Sequence, residues 1–292
     1  MSKDLFVDKN PSLETSWRSI ILLGRNVASY KFALAKSLLE IDSNNSEIEL
    51  EKLAIPFAKN ICEHLDKNEK QITSSSSKFL DACKRFNNSQ INEDELKNIT
   101  VRMGFNNVID AFHIVSREET TRFFTDNRTN NKSIILTDDF YKLKEKDIYK
   151  NLKNEAESRW NLWETAISLN VNPTLLQIIN DKDQECLYVL DENKKRKDVT
   201  SSRDALNGYQ KGKCFYCYKN ISIDRGNDNS CDVDHFFPHL LKNYGFLEVD
   251  QIWNLVLSCQ DCNRGSQGKF ERIPDIKYLY ALSKRNNYYI ES

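Results

Sequence analysis

Long apolar runs are missing from this chain of 292 residues; stretches such as Ile20-Ile-Leu-Leu23 are far too short to cross a bilayer. The start, Met1-Ser-Lys-Asp-Leu-Phe-Val-Asp-Lys-Asn10, puts charges where a secretory signal needs an apolar core, so none is expected. A membrane role and an oxidising compartment are both excluded on this reading. The expected location is the cytoplasm, where the eight cysteines serve as thiols or metal ligands rather than disulfides. An excess of one charge is missing as well. Lys and Arg total 42 against 43 for Asp and Glu, a formal net charge of −1. A molecule coated in positive charge is thereby excluded, and any nucleic-acid binding must use a local basic surface. Internal repeats are absent, and Ser74 to Ser77 is too brief to be a low-complexity linker.

Glycine is scarce where the chain is longest. Of eight glycines only Gly24 and Gly104 precede residue 200, so a glycine-poor part gives way to a short glycine-richer one. With 39% hydrophobic and 29% charged residues, the composition is that of a soluble globular protein. Its length is enough for two domains, each with its own core. We place the boundary between a helical domain, 1–198, and a second domain, 199–292.

The first part carries helical spacing. Asn10-Pro11 reads as an N-cap followed by proline at the first helical position. Leu13, Trp17, Ile20, Ile21, Gly24, Ala28, Phe32, Ala35, Leu38 and Leu39 then form one apolar stripe, which Asp42-Ser-Asn-Asn45 breaks. Ser46-x-x-Glu49 reads as a capping box for a helix carrying Ile48, Leu53, Phe57 and Ile61. Ile148, Leu152, Ala156, Trp160, Trp163 and Ile167 repeat the spacing before Asn172-Pro173, and Ile134-Ile-Leu-Thr137 reads as a short strand. The expected fold is a helical bundle with tryptophans and phenylalanines in its core. His64 and His113 have no ligand partners at i±3 or i±4, so structural histidines are expected, and Cys62 and Cys83 read as small apolar side chains. Lys194-Lys-Arg-Lys197 is a basic run that reads as a solvated turn, with a phosphate-contacting edge as the alternative.

The last ninety or so residues hold the chemistry. Cys214-Phe-Tyr-Cys217 and Cys259-Gln-Asp-Cys262 are two C-x-x-C pairs. Each pair brings two thiolates to one ion, and four soft thiolates in a tetrahedron suit Zn²⁺. Such a site is coordinatively closed, so this zinc holds the fold and leaves no place for a reacting water. A redox C-x-x-C and unrelated buried cysteines are the rivals, and the presence of both pairs favours zinc. Cys186 and Cys231 stand outside the set. The insert between the pairs, residues 218 to 258, is 41 long, against roughly 15–20 in a plain zinc ribbon. Two short strands are expected in it, over Cys231-Asp-Val-Asp-His-Phe-Phe-Pro238 and Ile252-Trp-Asn-Leu-Val-Leu-Ser258.

Asp234-His235-x-x-Pro238, then Asn254-Leu-Val-Leu, then Cys259-x-x-Cys262-Asn263-Arg264-Gly265 closely resembles the HNH endonuclease family. The likeness is narrower still to the subtype in which four cysteines frame a ββα-metal core, and it covers roughly residues 205 to 290. It implies a small α+β domain at the carboxyl-terminal end, which with the helical first part gives a mainly α chain. It also implies His235 as general base, Asp234 and Asn263 as ligands of one catalytic Mg²⁺ or Mn²⁺, and Asn254 as the tie on the loop carrying His235. Cys214, Cys217, Cys259 and Cys262 correspond to structural zinc ligands. Asparagine at the family's third signature position, often histidine, is a variant familiar from the nuclease domains of CRISPR effectors.

These residue types match the chemistry of phosphodiester hydrolysis. An imidazole is largely unprotonated at neutral pH and can take a proton from water. A carboxylate and an amide oxygen are hard ligands that suit Mg²⁺ or Mn²⁺ acting as Lewis acid and template. Asp232 shares a strand face with Asp234 and reads as a solvated carboxylate, with a supporting role as the alternative. His239 reads as an exposed loop residue. Arg264 and Lys269 follow the second knuckle, where a short helix should begin, and are expected to contact phosphates. The tail from Asp275 to Arg285 reads as a helix packing Ile276, Leu279 and Leu282 inward. Family members continue past an ending similar to Arg285–Ile290, which implies a chain trimmed or unusually short there. The expected activity is metal-dependent cutting or nicking of DNA in prokaryotic restriction or anti-phage defence, with a protein partner that recruits or activates it. RNA cleavage and a non-catalytic zinc adaptor are the alternatives.

Overall fold

A computed structural model of the protein describes residues 12–23, 28–41, 45–73, 76–115, 118–146, 149–169, 179–181, 186–190, 196–199, 202–223, 229–245, 249 and 251–290. The chain is mainly helical, with a small domain of strands and helices at its carboxyl-terminal end. It divides into two compact units, one over Pro11–Trp160 and one over Asn161–Glu291. Among the described residues no helix is long and apolar enough to cross a membrane.

The first unit begins with α1 (Leu13–Arg18), a π-helical turn over Ser19–Leu23 and α2 (Tyr30–Glu40). The apolar stripe read as one run is therefore carried by separate elements, since periodicity alone does not mark where a helix is interrupted. Asn10, Pro11, Asp42, Ile148, Asn172, Pro173, Lys194 and Lys195 lie outside the described residues. The cap of α1 is Ser12, whose hydroxyl accepts the Thr15 N–H. Next come β1 (Glu47–Glu49) and α3 (Leu50–Lys67). The expected capping box at Ser46-x-x-Glu49 is thus a strand, pairing antiparallel with β5 (Ser133–Leu136), and α3 starts one residue after Glu49. The carboxylate of Glu47 accepts from Ser133, Asn127 and Asn131, which ties it across the sheet instead of capping a helix.

Between them run α4 (Lys78–Asn87), α5 (Glu93–Ile99), α6 (Val108–Ala111), the hairpin β2 (Ile114–Val115) and β3 (Glu118–Glu119), β4 (Phe124–Asn127) and α7 (Arg128–Asn131). A three-stranded sheet, ordered β1-β5-β4, accompanies the helices. The unit closes with α8 (Asp138–Lys144) and the start of α9 (Tyr149–Ser168).

The core is aromatic, as large rings bury much area at low entropic cost. Trp17 meets Phe123 and Phe112 edge-on at centroid distances of 5.2 and 5.9 Å. Phe57 packs on Phe105 and Phe79, and Gly104 lies close beside it. A Cβ there would sit 3.1 Å from the Phe57 ring and 3.1 Å from the Thr100 methyl. One buried pair of opposite charges is held firmly: Arg18 grips Glu155 with two hydrogen bonds of 2.8 and 2.7 Å. His64 lies flat on Trp160 and bonds Glu157.

His113 is buried, and its Nε2 accepts the Phe123 backbone N–H at 3.0 Å, which requires a neutral ring. Burial first, then Arg122, pushes its pKa down to about 4. A histidine whose folded pKa is depressed loses its contribution as pH falls from about 6.5 toward the folded value. The expected outcome is a loss of about 3 kcal/mol of stability over that window. An NMR titration of the His113 ring should show a midpoint near 4; a midpoint near 6.5 would contradict the assignment.

The second unit contains the strands β6 (Ile179–Asp181), β7 (Cys186–Leu190) and β8 (Arg196–Asp198), antiparallel in that order. Helix α10 (Ser202–Tyr209) precedes the first cysteine knuckle, followed by β9 (Cys231–His235), β10 (Leu255–Cys259), α11 (Gln260–Arg264) and α12 (Ile276–Ile290). Strands β9 and β10 pair antiparallel, with Asp234 opposite Val256, His235 opposite Leu255 and Cys231 opposite Cys259. The helix α12 buries Leu282 against Phe215, Phe236 and Val256, with Tyr278 and Ala281 alongside. Ile276 and Leu279 were expected inside and are instead exposed. Helical spacing from Tyr278 to Arg285 sets the inner face, and Arg285 there donates to the Leu255 and Trp253 carbonyls.

Candidate active site and metal centre

Four cysteines converge. The Sγ atoms of Cys214, Cys217, Cys259 and Cys262 all lie within 4.8 Å of one another, and Cys217 and Cys259 are 3.7 Å apart. A tetrahedron of thiolates about 2.3 Å from a zinc ion has sulfur–sulfur edges of about 3.8 Å, so the residues fit that ion. The backbone builds the cage locally. Cys214 N–H bonds the Lys219 carbonyl, Tyr218 takes a left-handed turn at φ +65, and Cys259 caps α11 so that Cys262 falls in its first turn. Phe215 N–H and the Gln210 side chain both hold Leu257, fastening the first knuckle to the free edge of β10. Cys231 is buried and outside the cluster.

The second knuckle leads directly into chemistry-bearing residues. The short helix begins at Gln260, inside the knuckle rather than after it. The chain then doubles back. Lys269 N–H bonds the Cys262 carbonyl at 2.7 Å and Phe270 N–H bonds that of Asn263 at 2.9 Å. Only glycine fits at 268, where a Cβ would stand 2.8 Å from the Asn263 carbonyl oxygen and 2.9 Å from the Arg264 nitrogen. This turn carries the Lys269 side chain inward, 7% exposed, where its ammonium meets Asp234 Oδ1 at 3.2 Å. The same nitrogen donates to the His235 carbonyl at 2.8 Å and the Phe270 carbonyl at 3.1 Å.

Asp234 is buried, and the Tyr216 hydroxyl donates to its other oxygen at 2.7 Å. Burial raises its pKa, against the opposing pull of Lys269 and Tyr216. The Tyr216 phenol is pushed up by burial and by the neighbouring Asp234 charge. His235 is the last residue of β9, buried, with its ring 4.1 Å from that of His239. His239 thus belongs beside the site, although its sequence surroundings read as open loop. Asn254 is fully buried and brackets the residue after Phe236: its Oδ1 accepts Phe237 N–H at 2.8 Å. Its Nδ2 donates to the carbonyls of Phe237 at 2.8 Å and Val249 at 2.6 Å.

The structure brings Asn263 together with Asp232, its Nδ2 donating to Asp232 Oδ2 at 2.9 Å. Arg264 reaches the same oxygen at 3.2 Å, while its side chain stays 59% exposed. So Asp234 and Lys269 form one pair, and Asp232 serves Asn263 and Arg264. Neither partnership has a sequence signal, because each joins residues more than thirty apart. The donor set suits a hard divalent cation. Asp234 keeps lone pairs beyond the two in use, and the Asn263 amide oxygen is not the atom held by Asp232.

A hairpin followed by a short helix, with a four-cysteine cluster that could hold zinc, makes a ββα unit. Residues 214–274 match the family model described as HNH endonuclease, and this segment is an HNH endonuclease domain. No curated protein and no solved structure matches the chain. The match suggests a nuclease and implies nucleic-acid binding, and nucleases of this family use divalent metals.

Proposed function

We propose that the protein is a metal-dependent endonuclease that hydrolyses phosphodiester bonds in DNA, cutting or nicking it. The supporting observation is the set His235, Asp234 and Asn263 gathered around one hairpin and one short helix inside the HNH match. His235 takes the proton of the attacking water. Asp234 and Asn263 would hold Mg²⁺ or Mn²⁺ through hard oxygens, and such an ion would supply charge neutralisation at the scissile phosphate. Asn254 pins Phe237, so the strand end bearing His235 keeps its place. Lys269 offsets the Asp234 charge, and the exposed nitrogens of Arg264 are available to phosphate. In this reading zinc stabilises the domain and takes no part in the reaction.

Residues 1–198 serve as a recognition or partner-binding domain and residues 199–292 as the nuclease. A near-zero net charge suits an enzyme delivered to nucleic acid by a protein partner rather than one scanning unaided. The architecture fits cytoplasmic restriction or anti-phage defence in a prokaryote. A non-catalytic adaptor would be expected to have lost part of the active set, and Asp234, His235, Asn254 and Asn263 are all present.

The test is incubation of the purified chain with supercoiled plasmid and with structured RNA, in Mg²⁺, Mn²⁺ or EDTA. Nicked or linear plasmid with either cation and none with EDTA is expected. Cleavage confined to RNA would replace DNA as the substrate, and cleavage undiminished by EDTA would overturn the metal-dependent mechanism.

A further inference from the structure

Among the carboxylates of the domain, Asp232 has a structural partner that its sequence context does not announce. It lies on β9 two residues before Asp234, so both side chains leave the same face of the strand. Across from it, α11 offers two consecutive residues to one carboxylate oxygen: Asn263 Nδ2 at 2.9 Å and Arg264 Nε at 3.2 Å. Asp232 is 22% exposed, so these partners compete with water and hold an orientation that solvent alone would not.

The chemistry of the pair has one consequence. An ionised carboxylate accepts hydrogen bonds and donates none, so it can engage only the NH₂ end of the Asn263 amide. An asparagine side chain is otherwise free to turn over, since its two ends are alike in shape. Held by its nitrogen, Asn263 must keep its oxygen turned away from Asp232. A hard divalent cation takes the oxygen and has no use for the NH₂. Arg264 fixes the carboxylate from the adjacent position on α11, so the orienting group is itself oriented.

We propose that Asp232 is a positioning residue: it fixes the Asn263 amide with its oxygen presented to the divalent cation, and tethers α11 to the strand carrying Asp234. This inference rests on the reading of Asp234 and Asn263 as cation ligands. Asp232 touches neither water nor phosphate in this account and acts through Asn263. The same logic holds for groups behind metal-ligating histidines, whose loss costs roughly 10–100-fold in metal affinity.

The experiment is a Mn²⁺ titration of the full, zinc-loaded chain, followed by calorimetry or by the loss of the free-Mn²⁺ paramagnetic resonance signal. Wild type, Asp232→Ala and Asp232→Asn are compared, with zinc content and melting temperature as controls on folding. Asp232→Ala should weaken Mn²⁺ binding by about 10–100-fold. Asp232→Asn loses the charge and offers an amide that can meet either end of Asn263, so its weakening should lie between wild type and Asp232→Ala. Equal weakening in both variants would overturn the proposal in favour of simple charge attraction. Wild-type affinity in both would overturn it in favour of a solvated carboxylate. Should Asp232→Ala fail to fold, Asp232→Ser, with an acceptor too short to reach, carries the same expectation. Absence of any Mn²⁺ site in the wild type would remove the ligand reading itself, a result distinct from those two.

Discussion

His235→Ala is expected to lower the rate of plasmid nicking by about 10²–10⁴-fold, the usual share of a positioned general base. His235 ends β9, its ring is nearly enclosed, and the backbone about it is held from two sides. Lys269 grips its carbonyl, and Asn254 brackets the backbone of Phe237 two residues on. None of those contacts uses the ring, so its removal leaves the loop anchored and the zinc cage intact. Bound zinc and melting temperature should therefore stay near the wild-type values while activity falls. Added free imidazole should restore part of the rate, because the enlarged pocket can admit the missing base. Equal nicking by wild type and variant would remove His235 from the mechanism, whatever the fate of the remaining assignments.

Cys214→Ser should have the largest effect on stability. Cys214 is fully buried, its sulfur also accepts the Cys259 N–H, and its neighbour Phe215 packs in the domain core. A serine oxygen is a poor replacement for a soft thiolate, and the remaining three sulfurs would be left converging on an incomplete site. In zinc-finger peptides the ion contributes about 10–16 kcal/mol that is also folding free energy. This domain buries a core of its own, so part of the fold is supported without the metal. Even so, a loss of several kcal/mol is enough to unfold a domain of ordinary stability. Metal analysis should find the zinc lost, and chemical denaturation should show a markedly lower midpoint. Full zinc occupancy with undiminished stability would contradict the structural role.

The parts of this domain that were readable in its amino-acid order are those governed by local rules. The C-x-x-C spacing marks two knuckles, and the run from Leu255 to Ser258 has the apolar character of a buried strand. Apolar residues also marked the α12 segment as a helix but misplaced its inner face. Tyr278 packs against the core, and Arg285 is buried there because its guanidinium can satisfy the Leu255 and Trp253 carbonyls, which a hydrophobic count does not register. The strand at Glu47–Glu49 was hidden in a similar way. Ser46 and Glu49 have the letters of a capping box, yet pairing with Ser133–Ile135 decides the local conformation. Tertiary contacts outweigh propensity in such short segments.

The polar partnerships were less accessible still. Lys269 reads as a phosphate-seeking cation after the second knuckle, and only the reversal at Gly268 shows it turned onto Asp234. The Asp232–Asn263 contact spans 31 positions and depends on α11 lying across β9. Conversely, His64 and His113 lacked nearby ligand partners in the sequence, and each has a non-metal partner in the fold.

The most direct measurement of the account is anomalous diffraction from crystals of the protein grown with zinc and soaked in Mn²⁺. Zinc is expected inside the Cys214, Cys217, Cys259 and Cys262 cage and manganese on the Asp234 and Asn263 oxygens, with the His235 ring facing it. Manganese bound elsewhere, with Asp234 and Asn263 unliganded, would contradict the nuclease mechanism while leaving a zinc-stabilised fold.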